Sequence, residues 1–362
     1  MEENNFSYQF YQSTATAWEA MYQAILGAKK SIYWEIYILI DDVDGARFLS
    51  AICAKARAGV EVKIIMDSFG SLKLSNTMQT ELKSSGVEIL WYNRLLPTWP
   101  ASRWFDRLWR RNHRKVLIID EDVAFLGGVN VYAPARNWND LHLKLTGPSI
   151  QPLLSAFAKT YMHCGGDKAK VSHLLPSQSG PDVGKNKIEF IVHSPKEKSS
   201  ARDFYTQALD SAQESVTLLS PYYVPDRNFF QLLEKTINRG VKVNIILPWR
   251  SDVLLMNYAA ETFFDLTDRI GASLYFLKEM NHGKALTIDN HTGLVGSFNL
   301  TSRSFFINEE TGVVFKETAM VMELNSILEN WKKDAVPLKD IDQSHTWGRF
   351  RKWWVDKVRD YL

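Results

Sequence analysis

Two stretches of the chain repeat one pattern of apolar and polar positions. Ala58-Gly59-Val60-Glu61-Val62-Lys63-Ile64-Ile65-Met66-Asp67 finds its counterpart in Arg239-Gly240-Val241-Lys242-Val243-Asn244-Ile245-Ile246-Leu247-Pro248. In each, a helical stretch runs out at a glycine, the residue best suited to close a helix, and a β-branched run follows with the character of a buried strand. Similar strands are expected from Ser31 and Ser215. Helices alternating with apolar strands predict an α/β sandwich in each half, with mixed or parallel sheets covered by helices. The expected division is a first half over 1–170, a linker over 171–187, a second half over 188–345 and an amphipathic C-terminal helix over 346–362. The linker is placed where the stretch from Asp167 to Lys187 is rich in Ser, Pro, Gly and Lys.

The halves are not equal. From Gly86 to His113 is 27 residues, whereas from the matching Gly271 to His282 is 11, so the first half carries 16 extra residues before its histidine. This insertion, near 91–112, includes Trp91, Trp99, Trp104 and Trp109. Counted to Lys115, it also holds seven Arg or Lys and one Asp. Placed on a helix, 102–111 gathers Trp104, Phe105, Leu108 and Trp109 within an arc of roughly 140°. Arg103, Arg107, Arg110 and Arg111 fall on the other side. Trp347, Phe350, Trp354, Val358 and Leu362 form a second stripe at the C-terminus, beside Arg349, Lys352, Lys357 and Arg359.

One constellation occurs twice. His113-Arg114-Lys115, Asp120 and Gly127-Gly128-Val129-Asn130 are matched by His282-Gly283-Lys284, Asp289 and Gly296-Ser297-Phe298-Asn299, every matched pair 169 positions apart. Exchange at a phosphodiester needs a nucleophile, an acid for the leaving oxygen and positive charge around the phosphoryl oxygens. Histidine serves either of the first two roles near neutral pH. On a strand, Lys115 and Lys284 share a face with their histidines. With Asn130 and Asn299 donating amide hydrogens, the lysines make a cradle for an anion. This chemistry requires no metal or other cofactor, and no His/Cys/Glu cluster has zinc-ligand spacing; a zinc site built on His113, His282 and another histidine is the weaker alternative.

These motifs resemble the signature of the phospholipase D superfamily, and their surroundings narrow the likeness. Trp34-Glu35-Ile36-Tyr37-Ile38 and Ser220-Pro221-Tyr222-Tyr223-Val224-Pro225-Asp226 are similar to segments of bacterial cardiolipin synthases of the short type without N-terminal spans. The resemblance extends from about Ile25 to about Glu310. It implies two pseudo-symmetric phospholipase D-like α/β sandwich halves sharing one active site at their interface. It also implies a catalytic set drawn from His113, Lys115, Asp120, His282, Lys284 and Asp289, the two aspartates acting as supports. Gly128, Ser297, Asn130, Asn299, Asp140 and Glu310 would bind or orient, with Glu310 set against His113 and Asp140 against His282. By the same resemblance His113 attacks to form a phosphohistidine and His282 is the acid, although pseudo-symmetry leaves the order open. Phosphatidylglycerol would be the donor and a second phospholipid the acceptor, giving cardiolipin.

Composition limits the alternatives. The 362 residues suffice for two domains of ordinary size, and the net charge of +2 implies no general attraction to nucleic acid. Two cysteines, Cys53 and Cys164, make no disulfide framework and slightly favour a reducing compartment. No apolar run approaches the ~20 residues that cross a bilayer, and the N-terminus lacks the flank and core of a secretory signal. The expected location is therefore peripheral, on the cytoplasmic side of the cell membrane. Trp99, Trp104, Trp109, Arg107 and Arg110 are the expected contacts with an anionic membrane surface. Tyr222, Tyr223 and Trp249 are expected to line an apolar acceptor channel. Aromatic residues among basic ones also suit single-stranded nucleic acid, so a phosphodiesterase or nuclease of the same superfamily is the alternative, with an idle lipid-binding protein third.

Overall fold

A computed structural model describes residues 6–94, 109–176, 187–195 and 200–341. The first half is built on strands β1 (Ser7–Ser13), β2 (Ser31–Ile36), β3 (Glu61–Asp67), β4 (Glu88–Tyr92), β5 (Val116–Ile119), β6 (Val123–Gly127) and β7 (Asn139–Thr146). They form one sheet in the order β1-β7-β6-β5-β2-β3-β4. The strands β2, β3 and β4 are parallel, and the remaining neighbours pair antiparallel.

The second half repeats this arrangement. Its strands are β8 (Ile188–His193), β9 (Ser215–Leu219), β10 (Tyr223–Val224), β11 (Lys242–Pro248), β12 (Ser273–Leu277), β13 (Ala285–Ile288), β14 (Thr292–Gly296), β15 (Leu300–Thr301), β16 (Glu310–Phe315) and β17 (Val336–Pro337). The main sheet runs β17-β12-β11-β9-β13-β14-β16-β8, with β9, β11 and β12 parallel. It is the first sheet's order with one edge strand added, and β10 and β15 form a separate two-stranded pair.

The helix-to-strand junctions have a common cause. Helix Gly45–Arg57 ends in a Schellman arrangement, in which the Gly59 amide bonds to Ala56 O and the Val60 amide to Lys55 O. Gly59 has φ 89° and Gly240, after helix Arg227–Asn238, has φ 90°, a conformation that L side chains resist. Each junction delivers the chain into a strand that is buried over most of its length. One hydrophobic cluster crosses the boundary, joining Leu141, Leu143 and Leu145 of β7 with Val295, Val313 and Phe315 of the second sheet. The two sheets therefore share a core and are held face to face at the level of the paired motifs.

Four sequence expectations change. The histidines and lysines lie just before β5 and β13 rather than within them. Val171 and Leu174, assigned to the linker, are buried in the shared core, because the short turns Lys168–Lys170 and Ser172–Leu174 fold back onto helix Gln151–His163. Trp91 belongs to β4 and packs partly buried on the first half's own core. Arg111, expected on the wet side of an interfacial helix, is only 2% exposed and pairs with Asp67 at 3.5 Å, since helical geometry has ended by Arg110. Trp99, Trp104, Arg107, most of the insertion and the helix expected over 346–362 lie outside the described residues. No helix among the described residues is long and apolar enough to cross a membrane.

Candidate active site

Each histidine is set by a backbone bridge to the other half. The His113 amide donates to Glu309 O at 2.9 Å, and the Glu309 amide returns a bond to Arg111 O at 2.9 Å. Symmetrically, the His282 amide donates to Asn139 O at 2.7 Å and the Asn139 amide to Met280 O at 3.0 Å. The residue after each bridge is the carboxylate that meets the imidazole. Glu310 lies 3.0 Å from His113 Nδ1, and Asp140 lies 3.2 Å from His282 Nδ1, which also reaches Gly128 O at 3.0 Å.

The surroundings fix the tautomers. Burial alone would raise the Glu310 carboxyl, but His113, Lys115 and the Ser297 hydroxyl hold it below the usual carboxylate range. Burial likewise opposes ionisation of Asp140, and is outweighed by His282 and Lys284. An ionised carboxylate only accepts, so each Nδ1 carries a hydrogen and each Nε2 is left for the substrate. Burial pushes His113 down to about 4 against the pull of Glu310, which leaves a neutral imidazole beside an anion at neutral pH. His282 is also lowered, first by burial and then by Lys284.

The two carboxylates are held differently, for steric reasons. Glu310 accepts from the hydroxyls of Ser297 and, at 2.7 Å, Ser304. At the matching place in the first half stands Gly128, where a Cβ would lie 2.0 Å from Asp140 Oδ1. The shorter aspartate needs that closer backbone. Ser297 and Gly128 thus orient the histidine partners rather than forming part of the anion cradle.

Lys115 Nζ donates to His113 O at 2.7 Å, and Lys284 Nζ donates to His282 O. Burial lowers Lys284 to about 8 and holds Lys115 well below its ordinary value, the latter also through repulsion by Lys284. Two desolvated lysines, the charged form of Lys115 further opposed by Lys284, gain from an additional anion placed between them. Asn130 Oδ1 accepts from the Ile38 amide at 3.1 Å, which leaves its amide hydrogens for another acceptor. Its counterpart Asn299 has a buried Oδ1 that finds no hydrogen-bond partner among the described residues, so the two asparagines are held differently.

Asp120 and Asp289 take no part in this cluster. Asp120 accepts from the amides of Lys29, Lys30 and Ser31 at 2.6–3.0 Å, and Asp289 from those of Gln213, Glu214 and Ser215 at 2.8 Å. Both occupy tight turns with positive φ (55° and 49°), conformations that Asp tolerates better than most residues. They tie the β5–β6 and β13–β14 turns to the starts of β2 and β9.

Several residues near the histidines carry no motif. Tyr37 stands edge-on to His113 at 5.1 Å with Lys115 Nζ over its ring at 5.3 Å, while Trp138 and Tyr222 flank His282 at 5.6 and 6.2 Å. Arg114, between the first His and Lys, reaches Glu309 at 2.9 Å, Thr160 at 2.8 Å and the carbonyls of His193 and Glu310. Its place in the second copy is taken by Gly283, so the second copy lacks this side-chain clamp and bridges the halves through His282 and the Asn139 backbone. Of the expected channel residues, Tyr222 alone stands at the site. Tyr223 is a core residue whose hydroxyl bonds to Thr267 at 2.8 Å, and Trp249 packs on Phe276. Trp109 is 62% exposed, with the Arg303 guanidinium over its ring at 5.8 Å. Among the described residues no group of three or more His, Cys, Asp or Glu is placed to hold a metal ion.

A family model described as "Cardiolipin synthase, PLD-like domain" matches residues 21–159 and 205–332, one segment in each half. Among curated proteins, the "Probable cardiolipin synthase YwiE" of Bacillus subtilis (strain 168) is 29% identical over 354 residues, covering 94% of this chain and 67% of its own length. The "Minor cardiolipin synthase ClsB" of the same organism is 27% identical over 353 residues, covering 95% of this chain and 86% of its own length. Among solved structures, the phosphatidylserine synthase of Haemophilus influenzae Rd KW20 superimposes with a TM-score of 0.76 at 13% identity. It covers 98% of this chain and 93% of its own, and the likeness is one of fold.

Proposed function

The chain belongs to the cardiolipin synthase family of PLD-like domain proteins, and on that premise we propose that it is a phosphatidyltransferase making cardiolipin from phosphatidylglycerol at a membrane surface. The observation that carries the reading is the crossed pairing of His113 with Glu310 and of His282 with Asp140, beside two buried lysines. The neutral His113 attacks phosphorus through Nε2. The bond to the headgroup glycerol breaks, and His282 supplies the proton that the departing oxygen takes up. A bound phosphodiester anion favours that proton on His282, which Asp140 steadies. A glycerol hydroxyl of a second phosphatidylglycerol then attacks the phosphatidyl group, returns a proton to His282 and frees His113. The lysines offset charge on the phosphoryl oxygens throughout.

A membrane surface as the place of reaction is supported by the rim of the site. Val43, Phe69 and Leu72 follow β2 and β3, and Leu254, Leu255 and Tyr258 follow β11, all six well exposed. These are the carboxyl ends of parallel strands, the edge from which Tyr37 approaches His113. Exposed apolar side chains on the loops at that edge suit an interface where tails stay in the bilayer and headgroups enter.

The test is product identification with purified protein and phosphatidylglycerol vesicles. Cardiolipin and free glycerol in equal amounts are expected. Phosphatidic acid alone would make the protein a hydrolase. No lipid turnover together with rapid cleavage of single-stranded DNA would make it a nuclease.

A further inference from the structure

The loop after β11 places a carboxylate where the phosphate chemistry has no use for one. Ser251 is pinned by three bonds to Asn257, its amide and hydroxyl donating to Oδ1 at 2.8 and 2.7 Å and its carbonyl accepting from Nδ2 at 3.0 Å. The next residue, Asp252, accepts from the Tyr222 hydroxyl at 2.6 Å. Tyr222 is fixed in turn by Ser220, whose hydroxyl donates to Tyr222 O at 2.8 Å and accepts its amide at 3.3 Å. The Tyr222 ring lies 6.2 Å from that of His282, opposite Trp138.

Asp252 is therefore held beside the leaving-group histidine by two braced elements. Bonded to Tyr222, it lies on the His282 side of the site, near enough for its field to reach His282 and Lys284 in the second half and Tyr37 and Tyr132 in the first. Asp252 is exposed, and among the described residues its Oδ2 receives no hydrogen bond, so that oxygen is open to an incoming donor. A carboxylate here works against binding of an anionic phosphodiester, and a preorganised acceptor is accounted for by a donor on the substrate.

We propose that Asp252 and Tyr222 form a headgroup-recognition element beside His282, holding the alcohol of the phosphodiester when that alcohol carries a hydroxyl or ammonium donor. This deepens the phosphatidyltransfer reading and rests on it. The donor's source is left to experiment, because a glycerol hydroxyl and an ethanolamine ammonium satisfy the same acceptor.

The test compares kcat/KM for short-chain phosphatidylglycerol, phosphatidylethanolamine and phosphatidylmethanol, the last lacking a headgroup donor. In Asp252→Ala, the ratio of the glycerol or the ethanolamine lipid to phosphatidylmethanol is expected to fall about tenfold or more, as for loss of a hydrogen bond to a charged group. Tyr222→Phe is expected to lower the same ratio by less. Asp252→Asn keeps an acceptor oxygen without the charge. It sorts the source, sparing a hydroxyl more than an ammonium. If all three lipids slow alike in Asp252→Ala, or both ratios stay within about twofold of the original, the recognition role is overturned. If the unaltered protein turns over none of the three lipids, the phosphatidyltransfer reading itself fails, and the inference falls with it.

Discussion

The Nδ1 of His113 lies 3.0 Å from the carboxylate of Glu310, 197 positions further along the chain and on the other sheet. The carboxylate keeps the imidazole hydrogen on Nδ1, and in the proposed mechanism it balances the charge that forms when Nε2 bonds to phosphorus. Glu310→Gln preserves the shape but not the charge. It is expected to lower kcat by about 10³ to 10⁴ with KM changed little, as for loss of the orienting carboxylate in other histidine-dependent enzymes. Steady-state kinetics on phosphatidylglycerol vesicles check this, and a loss confined to KM would assign Glu310 to binding.

Both buried lysines make the site sensitive to pH, and Lys284 is the one lowered to about 8. Burial pulls its pKa down to about 8, with Asp140, Glu310 and Asp252 opposing. The lysine is charged below that value and neutral above it, so affinity for an anionic diester is expected to weaken as pH rises through about 8. Arginine stays charged in proteins, so Lys284→Arg is expected to remove this break. Titrating His113→Ala with short-chain phosphatidylglycerol on both sides of pH 8 reads the effect apart from turnover. A break that persists in Lys284→Arg would point to another group.

Asp289 is expected to act on stability alone. Asp289→Ala removes the acceptor for three amides at the entry to β9 and is expected to cost about 2 kcal/mol in chemical denaturation. Activity per folded molecule should stay within about twofold. Those amides and the charge of His291 hold its carboxyl below the ordinary value of 3.8, although burial opposes them. Its contribution is therefore present above 3.8 and lost as pH falls through the lowered folded value. A large loss of kcat in the folded variant would return Asp289 to the catalytic set.

Much of this was legible in the chain, because the duplicated residues carry a spacing that chance rarely repeats. The glycines at 59 and 240 mark helix ends for a local reason, the positive φ that they adopt. What was not legible depends on long-range placement. Nothing in the order His113-Arg114-Lys115 says that Arg114 turns away to meet Glu309, 195 positions on. Arg111 has the same composition signal as its neighbours, yet it is drawn inward by Asp67 at the end of β3. Tyr222 and Tyr223 are adjacent and chemically alike, yet Tyr222, held by Ser220 just before β10, stands against His282 while Tyr223, the first residue of β10, enters the core. Asp252 stands in a loop whose course is set by Asn257, and no short motif announces it.

The exposed leucines at 254 and 255 provide a test of membrane docking that leaves the chemistry alone. Both are about two-thirds exposed, at 64% and 66%. Replacing both with serine is expected to weaken sedimentation with phosphatidylglycerol vesicles by about tenfold or more, corresponding to part of two buried side chains. Thermal stability and turnover of monomeric short-chain lipid should be retained. Unchanged vesicle binding would move the docking surface elsewhere.

The account rests on a phosphatidyl group carried by His113 in a site shared by both halves. The most direct measurement is to mix the unaltered protein with phosphatidylglycerol labelled in the phosphatidyl part, quench within a single turnover in alkali, where phosphohistidine survives, and map the labelled peptide. Label on His113, with headgroup glycerol released in equal amount, is the predicted result. Label absent under conditions where the unaltered protein turns over, or found on another residue, would contradict it.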